Sequence, residues 1–131
     1  MKYSSFTKPA ILQDNGDGKT FTLYEGFEYR LGALENDIII RVPKGFVTDL
    51  GSIPTIASFL VPKLGKYNQS CILHDFLYDM VRKDKFSRAI ADSILLESME
   101  VLEVVFWRRW LIFAAVRMAG WACCRKIQNN C

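Results

Sequence analysis

The chain contains one histidine in 131 residues, and that scarcity excludes more than any other feature. An H-E-x-x-H zinc helix and an HD-type centre both need several histidines, so neither can be built. Cysteine excludes nearly as much. Cys71, Cys123, Cys124 and Cys131 form no C-x-x-C pair, and three of them fall in the last nine positions. Their spacing does not suit a structural zinc site, and the neighbours Cys123 and Cys124 cannot bridge each other without strain. Free thiols in a reducing compartment are expected. Net charge is only +3, from 17 basic and 14 acidic side chains. That excess falls short of the clustered basic surface that nucleic acid requires, so nucleic acid is not expected as a partner. The opening MKYSSFTKPAIL has no continuous apolar stretch and does not read as a secretory signal. No G-x-S-x-G nucleophile elbow occurs.

What is present suits one core. Half of the residues are hydrophobic and 13% are aromatic, too apolar for disorder. The length predicts a single domain over 1–131, strand-rich in 1–50, helical in 51–126, with a short tail at 127–131. No repeat, low-complexity tract or linker interrupts it. Asn15-Gly16-Asp17-Gly18 predicts a hairpin turn. It is not a calcium loop, because Gly16 and Gly18 would stand where oxygen ligands belong. Alternation at Phe21 and Leu23, then at Phe27, Tyr29 and Leu31, predicts half-buried strands, and Asp37 to Val42 predicts a third. The short connections favour antiparallel pairing.

From Ser52 onward the signals turn helical. Ser52 and Pro54 open a short helix that Pro62 ends. Further helices are expected from about Ser70 to Arg82, from an N-cap at Ser87 to about Glu103, and from about Trp107 to Lys126. The expected fold is therefore α+β, an N-terminal antiparallel sheet of three to four short strands with about four helices packed on one face.

The candidate chemistry gathers around His74. Winding 71–82 as a helix puts Ile72, Leu73, Phe76, Leu77, Met80 and Val81 on an apolar face. His74 and Tyr78 lie on its edge at i and i+4, with Asp75, Asp79 and Arg82 on the wet side. On the next helix Ile90, Ile94, Leu95, Val101 and Leu102 form the apolar arc, and Asp92 borders it. From there Asp92 either reaches His74 or Tyr78 across an antiparallel helix pair, or caps, or faces water. The segment from Gly45 to Pro54 leaves a strand and enters a helix. Asp49 either projects towards His74 or, with Ser52, satisfies the loop's free amides. If these groups act chemically, His74 is the base and Asp49, Asp92 and Tyr78 complete the catalytic set. Asp49 and Asp75 are then the carboxylates that would hold a divalent metal.

The segments VPKGFVTDLGSIP, CILHDFLYD, SRAIAD and AVRMAG, in that order, resemble a family of short proteins of unknown function common in tailed-phage and prophage genomes. The resemblance covers about two-thirds of the chain. It places family signature residues at Asp49, Ser52, Pro54, His74, Asp75, Tyr78 and Asp92. The chain departs from the family at Gly51, usually alanine, and at Thr55, where arginine is frequent. The resemblance implies a phage origin, hence the host cytoplasm or the virion, and implies no reaction. A smaller likeness joins His-Asp-x-x-Tyr and the later Asp92 to the catalytic helix pair of phospholipase A2. In those enzymes the histidine activates water, the adjacent aspartate binds calcium and the distant aspartate orients the ring. Their glycine-rich calcium loop is missing here.

The last helix is apolar on two sides. Trp107, Trp110, Leu111, Ala114, Met118 and Trp121 form one face, Ile112, Phe113 and Val116 the other, with Arg108, Arg109 and Arg117 between. Its charge-free runs reach seven residues, as in Trp110 to Val116, far short of the ~20 that span a bilayer. Burial between sheet and neighbouring helices is the commonest explanation for such a helix. A phage or host protein docked on the helix through Trp107, Arg108, Trp110 and Arg117 is the second, with Ser52 of the loop a separate binding candidate, and peripheral contact with a membrane the third. Three functions stay open: a His/Asp hydrolase, a non-catalytic binder of a host or virion protein, and a structural piece in which the His/Asp cluster is a brace.

Overall fold

The computed structural model describes residues 4–18, 20–32, 38–48, 68–83, 85 and 87–127, with side chains as far as Met118. The fold is α+β. Among the described residues the order is β1 (Ser5–Phe6), β2 (Leu12–Asp14), β3 (Phe21–Leu23), β4 (Phe27–Leu31), β5 (Ile38–Val42) and β6 (Val47–Thr48). Three helices follow, α1 (Asn68–Arg82), α2 (Arg88–Val101) and α3 (Phe106–Ile127). The short helix predicted from Ser52 to Pro62 lies outside the described residues.

The strands correct one expectation. Instead of one sheet they make two antiparallel sheets of three strands, ordered β1-β4-β5 and β2-β3-β6. The predicted hairpin is present. Leu12 pairs with Leu23 and Asp14 with Phe21, and Gly16 and Gly18 take the positive φ that the turn demands. Asp14 and Asp17 accept the backbone amides of Gly16 and Thr20, each at 2.8 Å. The chain changes sheet after β1, β3 and β5, and at the second change Tyr24-Glu25-Gly26 carries it from β3 into β4. Gly26 is needed there, because a Cβ at that position would stand 2.9 Å from the Val42 carbonyl oxygen.

Alternation then does its work. In β4 and β5, Phe27, Tyr29, Ile40 and Val42 turn inward and pack with Leu23 against Ile72, Leu73, Leu77 and Val81 of α1 and Ala91 and Ile94 of α2. A second cluster joins Cys71, Leu95 and Met99 to Val104 and to Ile112 of α3. Helix α3 therefore rests on α2, with the other helices between it and the main strand core. Among the described residues it is thus not enclosed on both sides, against the first of the three explanations for its two apolar faces. Ile112 is buried, whereas Phe106, Trp107, Trp110, Ala114 and Met118 face outward. Ser87 N-caps α2 as predicted, accepting from the Ile90 amide. Ile90 itself, assigned above to the apolar arc, is exposed. The inward positions are Arg88, Ala91, Asp92, Ile94, Leu95, Ser98 and Met99.

Candidate functional site

The helical registers of α1 and α2 bring their polar edge residues together inside the protein. Ser98 Oγ donates to Ser70 Oγ at 2.8 Å, and His74 meets Asp92 about one turn further along α1. Numbers rise on one helix as they fall on the other, so the pair is antiparallel. His74 Nε2 lies 2.6 Å from Asp92 Oδ1, with His74 only 6% exposed and Asp92 fully buried. Tyr78 Oη donates to the same Asp92 oxygen at 2.9 Å. Its ring leans on that of His74, with centroids 4.2 Å apart. The other carboxylate oxygen, Oδ2, accepts from Arg117 Nη1 of α3 at 2.9 Å and lies 3.7 Å from Arg88 Nη1.

A carboxylate with no solvent survives ionised only when donors replace water. Burial pushes the Asp92 carboxyl up. The hydrogen bonds from His74 and Tyr78, the charge His74 carries whenever it is protonated and the Arg117 bond outweigh that and hold it below its ordinary value. Burial first, and then the nearby Asp92 charge, drive the Tyr78 phenol well above its ordinary value, so Tyr78 remains a donor. An ionised carboxylate accepts only. The proton of the His74–Asp92 bond therefore sits on Nε2, and in the neutral ring Nδ1 is the basic nitrogen.

Asp75, the next residue along α1, leans the other way, into a cleft of about 280 Å³ whose walls include Phe46, Thr48, Tyr78, Asp79 and Arg82. Strand β6 supplies Thr48, held by pairing with Phe21, and Thr48 Oγ1 donates to Asp75 Oδ2 at 2.5 Å. Arg82 bonds Asp79 on the cleft rim at 2.7 Å. Tyr78 belongs to both neighbourhoods, one side on the cleft and its hydroxyl on Asp92.

Of the residues singled out in the sequence, His74, Tyr78, Asp92 and Arg117 share one cluster, and Asp75 flanks it. Asp49 and Ser52 lie outside the described residues. Trp107, Arg108 and Trp110 lie on α3 apart from the cluster, and both tryptophans are exposed. Among the described residues no three His, Cys, Asp or Glu side chains converge as a metal site would require. The sequence reading missed Arg88 and Thr48. Arg88 was legible as the cation four residues before Asp92, the spacing that puts two side chains on one helical face. Thr48 carried no separate signal beyond its place next to Asp49.

Fold and site together define an α+β protein built round a buried His–Asp–Tyr–Arg cluster beside a polar cleft. The chain belongs to the family described as Protein of unknown function (DUF1353), which matches residues 21–116. No curated protein and no solved structure matches it significantly.

Proposed function

We propose that this is a tailed-phage accessory protein with a hydrolytic site in which His74 is the general base. The observation that carries the proposal is the His74–Asp92 bond, 2.6 Å long and closed off from water. An ionised Asp92 fixes the proton on Nε2 and leaves Nδ1 as the basic nitrogen, and Tyr78 and Arg117 keep Asp92 in place. His74 is 6% exposed and is not among the described residues lining the cleft, so the base would act on a water admitted beside the ring past Tyr78. Asp75, on the cleft side of the same helix, together with Asp49, would hold a divalent ion that polarises the scissile carbonyl or phosphoryl oxygen. The likeness to the phospholipase A2 helix pair supports the same division of labour between the adjacent and the distant aspartate.

The test is a screen of ester and phosphoester substrates with calcium, magnesium, manganese or zinc present, run on wild type, His74→Ala and Asp75→Asn. Turnover lost by about 100-fold or more in His74→Ala, with the circular dichroism spectrum unchanged, supports the base. Absence of turnover in wild type, together with early melting of His74→Ala, supports a second reading. That reading rests on the full burial of Asp92 and its contacts with α1, α3 and Arg88: the cluster is then a brace joining three helices, in a protein that acts by binding.

A further inference from the structure

Helix α3 has an outward face that nothing among the described residues covers. Trp107, Trp110, Ala114 and Met118 succeed one another along it, with Phe106 beside them, and Phe106 and Met118 are 65% and 73% exposed. These positions advance by three or four residues and form one stripe about 16 Å long. The stripe is edged with positive charge. The Arg108 guanidinium lies 5.2 Å from the centre of the Trp107 ring, and that of Arg109 lies 5.6 Å from the Phe106 ring.

Charge in this protein is unevenly shared. Of 17 basic side chains in the sequence, α3 carries five, at Arg108, Arg109, Arg117, Arg125 and Lys126. Of the 14 acidic ones it carries none. The rest of the chain holds 12 basic against 14 acidic residues, so the positive excess belongs to α3, where Arg117 is turned to Asp92 and Arg108 and Arg109 stand beside the exposed rings.

A helix that shows tryptophan, phenylalanine and methionine outward, with arginines at the level of the rings and no carboxylate of its own (Glu97 and Glu100 of α2 share a hollow with Arg109 and Trp110 at one edge), matches a lipid surface in two ways. The rings and the methionine enter the boundary between headgroups and acyl chains, and the guanidiniums meet lipid phosphates. No helix among the described residues is long and apolar enough to cross a membrane, and lying flat requires no such length. We propose that α3 docks the protein on an anionic membrane surface, its axis parallel to the bilayer. The proposal is independent of whether His74 is catalytic.

All three tryptophans of the chain, Trp107, Trp110 and Trp121, belong to α3, so intrinsic fluorescence reports on this helix alone. The experiment mixes the full chain with vesicles of phosphatidylcholine alone, or of phosphatidylcholine containing phosphatidylglycerol, and follows tryptophan emission and co-sedimentation. The expected result is a blue shift and sedimentation with the anionic vesicles only, both weakening as salt rises. Replacing Arg108 and Arg109 by Glu should lower binding by on the order of tenfold or more. Should that variant fail to fold, the wild-type comparison of the two vesicles and of low and high salt decides alone. No sedimentation with either vesicle overturns the proposal, as does equal binding to both. So does a stable dimer in light scattering whose emission is already blue-shifted without lipid, which would make a second copy the occupant of this face.

Discussion

Asp92 concentrates more consequence than any other side chain here, because it is the only carboxylate among the described residues that is fully buried and it answers two arginines and the His74 ring at once. Replacing it with Asn keeps the shape and removes the charge. Arg88 and Arg117 then lose their anion while Arg88 stays buried, and breaking a buried pair from one side costs about 3–5 kcal/mol. Urea unfolding of Asp92→Asn at neutral pH should show a loss of that order. The pH dependence has a definite sign. Folding lowers the Asp92 pKa, so near the ordinary carboxylate value of ~3.9 the unfolded chain binds the proton more readily. The stabilisation is fully present above that value and disappears as pH falls through the lowered folded value. In a series of melts from neutral to acid pH, Asp92→Asn should lack this part of the wild-type decline. Equal slopes for the two proteins would show that Asp92 is not held ionised by its neighbours.

At the level of elements the strongest constraint sits between the sheets. A methyl group on Gly26 would meet two backbone atoms, the Val42 carbonyl oxygen at 2.9 Å and the Lys44 amide nitrogen at 3.2 Å. Backbone cannot rotate aside as a side chain can, so Gly26→Ala should cost about 1–3 kcal/mol, read as a drop in thermal midpoint. An unchanged midpoint would mean that the β3–β4 connection yields freely. This junction also explains what the sequence concealed. The alternation in 21–23, 27–31 and 38–42 revealed each strand, because period two is a local property. The separation of β3 from β4, and the pairing of β3 with the distant β6, depend on contacts that no local pattern encodes. The helices were more legible. Ser87 marked the start of α2, and the i, i+4 pair His74 and Tyr78 put both residues on the edge that meets Asp92. Ile90 was misplaced because hydrophobicity alone assigned it inward, whereas the register set by Ala91, Ile94 and Leu95 turns it to solvent. Arg88 and Asp92 fill inward positions that an apolar pattern leaves blank, since a buried ion pair looks like a gap in the stripe.

Across the whole molecule, packing runs in series from the strands through α1 and α2 to α3, and two apolar clusters meet on the two central helices. Leu23 belongs to the first cluster and has no exposed surface, while every tryptophan lies at the far end, on α3. This arrangement gives a direct test of the single domain expected from chain length. Leu23→Ala removes buried carbons and leaves a cavity, at about 2–5 kcal/mol. If strands and helices unfold as one unit, the denaturation midpoint should shift equally whether followed by tryptophan emission, which sees α3, or by far-ultraviolet circular dichroism, which sees the whole backbone. The link that predicts coincidence is short. Ile94 in the first cluster and Leu95 in the second are adjacent on α2, and Arg117 of α3 is tied to Asp92 one turn earlier. Loosening the strand side of α2 therefore weakens the seat of α3. Transitions that separate, with the emission midpoint unmoved while the circular dichroism midpoint falls, would mean that α3 and its aromatic face hold together without the sheets.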